Sequence, residues 1–204
     1  ELARRAGVPI RYVTFETAGK MADAVRDGAW DLAFLAIYPS RAADIDFSDA
    51  YVHIEGTYLV RAASPLRRVA ELDREGTRIA VGLKTAYDLF LGRELRSAEL
   101  VRAESSAAAI ERFLSENLDA AAGVRQPLEA AARLRPGLRV IEDSFTVIRQ
   151  AAGVPRGREA AARLVADFIE EAKSTGLVAR LLRESGAGEV TLAPPGPPGP
   201  PATA

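Results

Sequence analysis

Three places along the 204 residues carry side chains whose type and spacing could hold a small anion. The first is Arg41. It follows a continuous apolar run at 32–37 and then Pro39, which suits the first position of a short helix; Ala36, Tyr38 and Ser40 belong to the same turn. A guanidinium in a first helical turn opposes the positive end of the helix dipole. It makes sense there if an anion is present, because free amides and a planar fork can converge on one carboxylate. The alternative is an exposed arginine paired with Asp44 or Asp46. The second place is Gly82-Leu-Lys-Thr-Ala-Tyr-Asp. Thr85 and Asp88 have capping-box spacing, so a helix is predicted to start at Thr85, whose hydroxyl caps that helix, binds a ligand, or is shared. Lys84 beside it either adds charge recognition or is simply solvated. The third is Gly123-Val-Arg-Gln-Pro, where Gln126 can accept a hydrogen bond and Arg125 repels cations, unless both are plain loop residues. No carboxylate follows this strand; Asp119 lies at its other end.

Other chemistries find little footing. His53 is the only histidine and has no triad partner at an identifiable spacing. There is no phosphate loop, no nucleophile elbow and no metal-ligand cluster. Neither a cofactor nor a metal is expected. The absence of cysteine removes disulfides and thiolate chemistry. A net charge of −1 with both signs interspersed gives no footprint for nucleic acid. No run of about 18 apolar residues is present to span a bilayer. Candidate aromatics for sandwiching a ligand are Tyr12, Phe15, Tyr38, Tyr51 and Tyr87, of which Tyr38 and Tyr87 sit at strand-to-helix corners.

The elements that must position these residues alternate. Strands are predicted at 10–15, 32–37, 52–62, 78–82, 99–103, 118–124, 138–141 and 145–150. Helices are predicted at 18–26 (capped by Thr17), 85–95, 106–114, 127–134, 158–173 and 177–184. Such alternation argues for parallel sheets covered on both faces. Two extended connectors, near 56–60 and 148–153, bracket the middle set, as expected of two lobes joined by a two-stranded hinge.

Trp30-Asp-Leu-Ala-Phe-Leu-Ala-Ile-Tyr-Pro-Ser-Arg, followed by Asp46-Phe47-Ser48-x-x-Tyr51, resembles the anion-binding corner of bacterial extracellular solute-binding proteins of family 3, the amino-acid receptors of ABC importers. The resemblance extends to about Gly186. It implies an α/β, two-lobed, periplasmic-binding-protein-like type II fold with a two-stranded hinge. Lobe 1 would be residues 1–58 and 150–190 with its first strand missing, lobe 2 residues 59–149, and 191–204 a disordered Pro/Gly tail. Arg41 would grip the ligand carboxylate, and Thr85 with the Ala86 backbone would bind it from the second lobe. The turn is about two residues shorter than the family form. Lys84 replaces the second glycine of the family's Gly-x-Gly-(Ser/Thr), and the family's ammonium-binding aspartate is absent. The full set of candidate ligand-binding residues is Ala36, Tyr38, Ser40, Arg41, Lys84, Thr85, Ala86, Tyr87 and Gln126.

The function implied is capture of a small carboxylate-bearing solute, an amino acid or related organic acid, in an interlobe cleft that closes by hinge motion and is read by an importer permease. The expected protein is a monomer, periplasmic or extracellular, free or lipid-anchored, whose parent chain carries an export signal. Two alternatives share the fold: a periplasmic cyclohexadienyl or prephenate-type dehydratase, which needs a positioned acid or base, and a ligand-binding sensor domain.

Overall fold

The computed structural model describes residues 1–187 and 190–196. Two compact units account for them. Unit 1 is Glu1–Val13, Ala24–His53 and Arg149–Ala204; unit 2 is Thr14–Asp23 and Ile54–Ile148. The chain passes between the units at 53/54 and 148/149, and Thr14–Asp23 makes a separate visit to unit 2 that the sequence did not announce.

In unit 2 three strands, β3 (Arg78–Gly82), β4 (Glu99–Ala103) and β5 (Ala120–Val124), alternate with helices α3 (Ala86–Glu94), α4 (Ser106–Ser115) and α5 (Arg125–Leu134). β3 is central, parallel to β4 through Arg78↔Glu99 to Gly82↔Ala103 and to β5 through Ile79↔Ala120. Its last four residues are buried, as a strand covered on both faces requires. The second half of β2 (Ile45–Arg61) runs antiparallel to β5, and β6 (Leu138–Val140) pairs with β2 on the other side. Leu59, Ala80, Val101, Phe113, Leu118 and Leu128 form the core beneath the helices. Because β3, β4 and β5 are parallel, their carboxyl ends and the starts of α3, α4 and α5 share one end of the sheet, where ligands of open α/β sheets bind.

In unit 1, β1 (Ala33–Ala36) pairs antiparallel with β7 (Thr146–Pro155), Ala33 opposite Gly153 and Ala36 opposite Gln150. α6 (Glu159–Ser174) lays Val165 and Ile169 against Ala152 and Val154, with Leu32, Tyr51 and Phe168 closing the cluster. α1 (Leu2–Ala6) ends at Gly7, whose φ of 65° supplies a left-handed cap. α7 (Leu177–Glu184) follows α6.

Three expectations are corrected. The run at 10–15 is not a strand. Among the described residues nothing pairs with it, and an extended backbone without a ladder gains no hydrogen bonds to hold it; Tyr12 is 83% exposed. The segment after Pro39 is a set of turns rather than a helix. The Pro/Gly tail is in part ordered. β8 (Thr191–Leu192) pairs with Val52 and His53 of β2, Ala193 N–H donates to Tyr51 O at 3.1 Å, and the Lys173 ammonium, its side chain 1% exposed, donates to Ala50 O and Pro194 O. Residues 197–204 of that tail lie outside the described residues. Every other predicted element is present within a few residues, apart from longer reaches of β2 and β7. No described helix is long and apolar enough to cross a membrane.

β2 and β7 each continue from one unit into the other. On the unit 2 side they meet at Gly56, whose carbonyl accepts from Phe145 N–H at 2.9 Å. A Cβ at Gly56 would stand 2.7 Å from the Phe145 ring and 2.9 Å from the Thr146 methyl. Gly56→Ala is therefore expected to destabilise the protein by about 1–3 kcal/mol through overpacking. A urea titration should show a lower midpoint at an unchanged slope, and an unshifted midpoint would contradict the close packing.

Candidate functional site

The unit 1 corner begins where β1 ends. Ile37 N–H still reaches Arg149 O at 2.9 Å, and the chain then turns on Tyr38 O, which accepts from Arg41 N–H at 2.9 Å and Ala42 N–H at 3.0 Å. Arg41 O in turn accepts from Asp44 and Ile45. The Arg41 side chain is only 6% exposed, and its Nη1 donates to Ala36 O at 3.0 Å. So the guanidinium is drawn against the carboxyl end of β1 and is not an exposed arginine. The carboxylates suggested as its surface partners hold other cations, Asp44 with Arg26 at 2.8 Å and Asp46 with Arg156 at 3.3 Å. Tyr38 is half-buried, Ser40 exposed and Ala36 buried beneath them. The four residues named from the sequence do share one turn.

The Asp46-Phe47-Ser48-x-x-Tyr51 run turns out to position this corner. Asp46 also accepts from Gly157 N–H at 3.1 Å. Ser48 accepts from Ala152 N–H at 3.2 Å and donates to Asp49 O at 2.7 Å. A Cβ at Gly153 would lie 2.6 Å from Ile45 and 3.1 Å from the Phe47 ring. Tyr51 meets Phe34 edge to face at 5.7 Å. These contacts bind β2 to β7 close beside β1.

In unit 2 the β3–α3 corner contains Lys84, Thr85, Ala86 and Tyr87. Lys84 adopts φ +56°, a left-handed conformation. That explains a glycine in the resembling family, since only glycine enters this region without a steric cost. Thr85 is the N-cap. Its hydroxyl donates to Gly82 O at 2.8 Å and accepts from Asp88 N–H at 3.1 Å. Asp88 is buried; it accepts from Lys84 N–H and from Arg102 Nε, each at 2.8 Å. Thr85 is thus occupied as a cap. The first-turn amides of α3, at Ala86 and Tyr87, have no intrahelical acceptor and remain the donors this corner can offer. The Tyr87 side chain points inward. It is buried, its hydroxyl is 2.6 Å from Ser106 Oγ, and burial raises its pKa. It packs as interior and not as a ligand-facing ring. The Lys84 ammonium lies 2.7 Å from Asp23 Oδ2, a partner without any signal in the sequence, because it is 61 residues away.

At the β5–α5 corner the helix starts two residues earlier than predicted, which places Arg125 and Gln126 in its first turn. Arg125 turns back along the strand. Its Nε is 2.6 Å from Glu55 Oε2, Nη1 is 3.2 Å from Ile141 O and Nη2 is 2.7 Å from Glu142 O. Arg125 therefore clamps the start of α5 to β2 and the segment after β6. Gln126 is half-buried beside it. His53 takes part in the ladder to β8, opposite Thr191. A cavity of about 300 Å³ lies among Arg61, Ala63, Ser64, Asn117, Leu118 and Asp119. It opens at the amino end of β5, away from the helix starts, and by the strand-end rule it is not the binding corner.

The family pattern described as bacterial extracellular solute-binding proteins, family 3, matches residues 1–186. No curated protein sequence matches the chain. Among solved structures it is similar to an amino acid ABC transporter substrate-binding protein, AbpA, from Streptococcus pneumoniae Canada MDR_19A bound to L-arginine, with TM-score 0.77 and 18% identity over 92% of this chain and 81% of that one. It is also similar to holo ArgBP from T. maritima, with TM-score 0.74 and 19% identity over 91% and 81%. A third is the ancestral amino acid-binding protein AncCDT-1, a precursor of cyclohexadienyl dehydratase, with TM-score 0.75 and 23% identity over 90% and 80%. The fold is accordingly the two-lobed α/β arrangement of type II periplasmic binding proteins.

The Thr85–Asp88–Arg102 arrangement makes a direct prediction. Asp88→Ala removes a buried carboxylate and with it the bond from the part-buried Lys84 N–H, while Arg102, 45% exposed, still reaches water. The expected loss is about 1–3 kcal/mol. Faster hydrogen exchange confined to the start of α3 would accompany it, and unchanged protection there would contradict the cap.

Proposed function

The chain belongs to the bacterial extracellular solute-binding proteins of family 3, and from that premise we propose that it is the extracytoplasmic solute-binding component of an ABC importer, taking a small carboxylate-bearing solute of the amino acid or related organic acid class. The observation that carries the reading is Arg41. A guanidinium held against the end of a strand by a carbonyl of its own turn is preorganised, so little rotamer freedom is lost when a carboxylate arrives. Ala36, Tyr38 and Ser40 surround it in one turn, and the Ala86 and Tyr87 amides at the start of α3 complement the same negative charge. Gln126 can add a neutral hydrogen bond. Engagement of groups from both units by one solute favours the state in which both contacts are made, which is the thermodynamic content of hinge closure. A permease reads that state, and the periplasm or cell exterior is where such a receptor works.

The charge inventory narrows the solute. Lys84 and Arg125 have acidic partners in Asp23 and Glu55, so neither adds an unbalanced positive charge for an anion beyond the carboxylate. Carboxylate recognition rests on Arg41 and the α3 amides. The dehydratase reading gains no support from the same inventory. Glu55 and Asp46, the nearby carboxylates, are engaged with Arg125 and Arg156, whereas a general acid or base must be positioned on the reacting proton.

Because Arg41 also holds its own turn, Arg41→Ala would mix lost binding with lost stability. Arg41→Lys separates them, since it keeps the charge and the stem and removes the planar fork. Calorimetric titration with a panel of amino acids, their deaminated acids and dicarboxylates should find a carboxylate ligand whose affinity falls more than tenfold in Arg41→Lys, about 1.4 kcal/mol or more. Equal affinity in the variant would remove Arg41 as the anchor, and binding restricted to ligands without a carboxylate would overturn the solute class.

A further inference from the structure

The short visit of Thr14–Asp23 to unit 2 calls for a physical reason, since it belongs to neither the cluster around Phe113 nor the one around Val165. Two contacts, both with Lys84, hold it. Gly19 in α2 (Ala18–Asp23) is buried so closely against Lys84 that a Cβ on it would stand 2.6 Å from Lys84 Cβ and 3.3 Å from Lys84 Cδ. The left-handed backbone of Lys84 directs its ammonium to Asp23 Oδ2 at 2.7 Å. Within the segment Lys20 pairs with Glu16, which raises the lysine pKa. Thr17 accepts from Lys20 N–H at 3.1 Å and keeps the segment helical. The segment therefore lies near the carboxyl end of β3, against the residue that precedes the α3 N-cap.

We propose that residues 14–23 are a strap latched over the β3–α3 corner, with Gly19 as its seat and the Asp23–Lys84 ion pair as its catch, so that a solute reaches the first-turn amides of α3 only when the strap lifts. The proposal deepens the solute-binding reading and rests on it for its biological use. It assigns Lys84 to the catch and leaves ligand contact to the backbone of Ala86 and Tyr87. Steric fit is the stronger part. The ion pair is more than half exposed on both sides, so it contributes modestly and is screened by salt.

The test needs no solute, because the chain has no cysteine and one can be introduced as a reporter. In Ala86→Cys, the rate of modification by a small anionic methanethiosulfonate reads access to the corner. Adding Gly19→Val, which cannot seat under Lys84, should raise that rate tenfold or more. Adding Asp23→Lys, an exposed change that leaves the fold intact, should raise it a few-fold at low salt and less in 1 M salt. Hydrogen exchange of residues 17–23 should quicken in both variants while β3 to β5 stay protected. Equal thiol reactivity in all three backgrounds, or unchanged exchange at 17–23, overturns the strap. Solute titration of the unmodified chain is a separate measurement: a chain that binds nothing from the amino acid panel counts against the binding reading, and the thiol rates still decide the latch.

Discussion

Everything that positions the two corners depends on one constraint, the need of a single 17-residue strand, Ile45–Arg61, to keep its backbone paired from end to end. Its first half carries Ser48, whose hydroxyl accepts from Ala152 of β7, and its last unit 1 residues, Val52 and His53, bond to β8. Its second half carries the ladders to β5 and β6, and Thr57 places its hydroxyl 3.0 and 2.8 Å from the carbonyls of Ile141 and Asp143. Small residues occur where this pairing brings backbone and ring too close for a side chain, at Gly56 against Phe145 and at Gly153 against Ile45 and Phe47. The strand thus belongs to both units, residues 45–53 to one and 54–61 to the other.

The charges at the corners show a consistent division of labour. Lys84 and Arg125, which look like ligand cations in the sequence, are tied to Asp23 and Glu55, and Arg102 is tied to Asp88. Each fixes the shape of a corner. On the proposed reading, the donors offered to a carboxylate are the Arg41 guanidinium and the first-turn amides of α3, each held in place by its own corner. Such preorganisation limits the entropy lost on binding. A corner built this way depends on its cap as much as on its cation, because Thr85 and Asp88 decide where the helix amides begin.

Much of the fold was legible in the sequence because the signals are local. β3 and β4 are continuous apolar or alternating runs bounded by turn residues, and their limits at 78–82 and 99–103 agree with the structure. Thr85 was legible as a cap from its spacing to Asp88, and Ser40 and Arg41 share a turn because Pro39 follows an apolar strand directly. The run at 10–15 misled for the same reason. Its β-rich composition is that of a strand, but a strand exists only with a partner, and pairing is not a local property. The tail misled in the opposite sense: Pro and Gly argued against order, while the buried Lys173 ammonium donates to Pro194 O and an open edge of β2 supplies a ladder for Thr191–Leu192.

What the sequence determined by itself was therefore the alternating α/β order, the helix starts and the family membership, all carried by neighbours within a few residues of each other. Only the tertiary structure decided the partners of the charges. Asp23 and Lys84 are 61 residues apart, Glu55 and Arg125 are 70, and a side chain a few ångströms from its counter-ion looks in sequence the same as one facing water. Nor could sequence place the Arg41 guanidinium under Ala36 O, or Gly19 beneath Lys84. Both follow from how closely two backbones approach, and that distance is set by packing the whole unit.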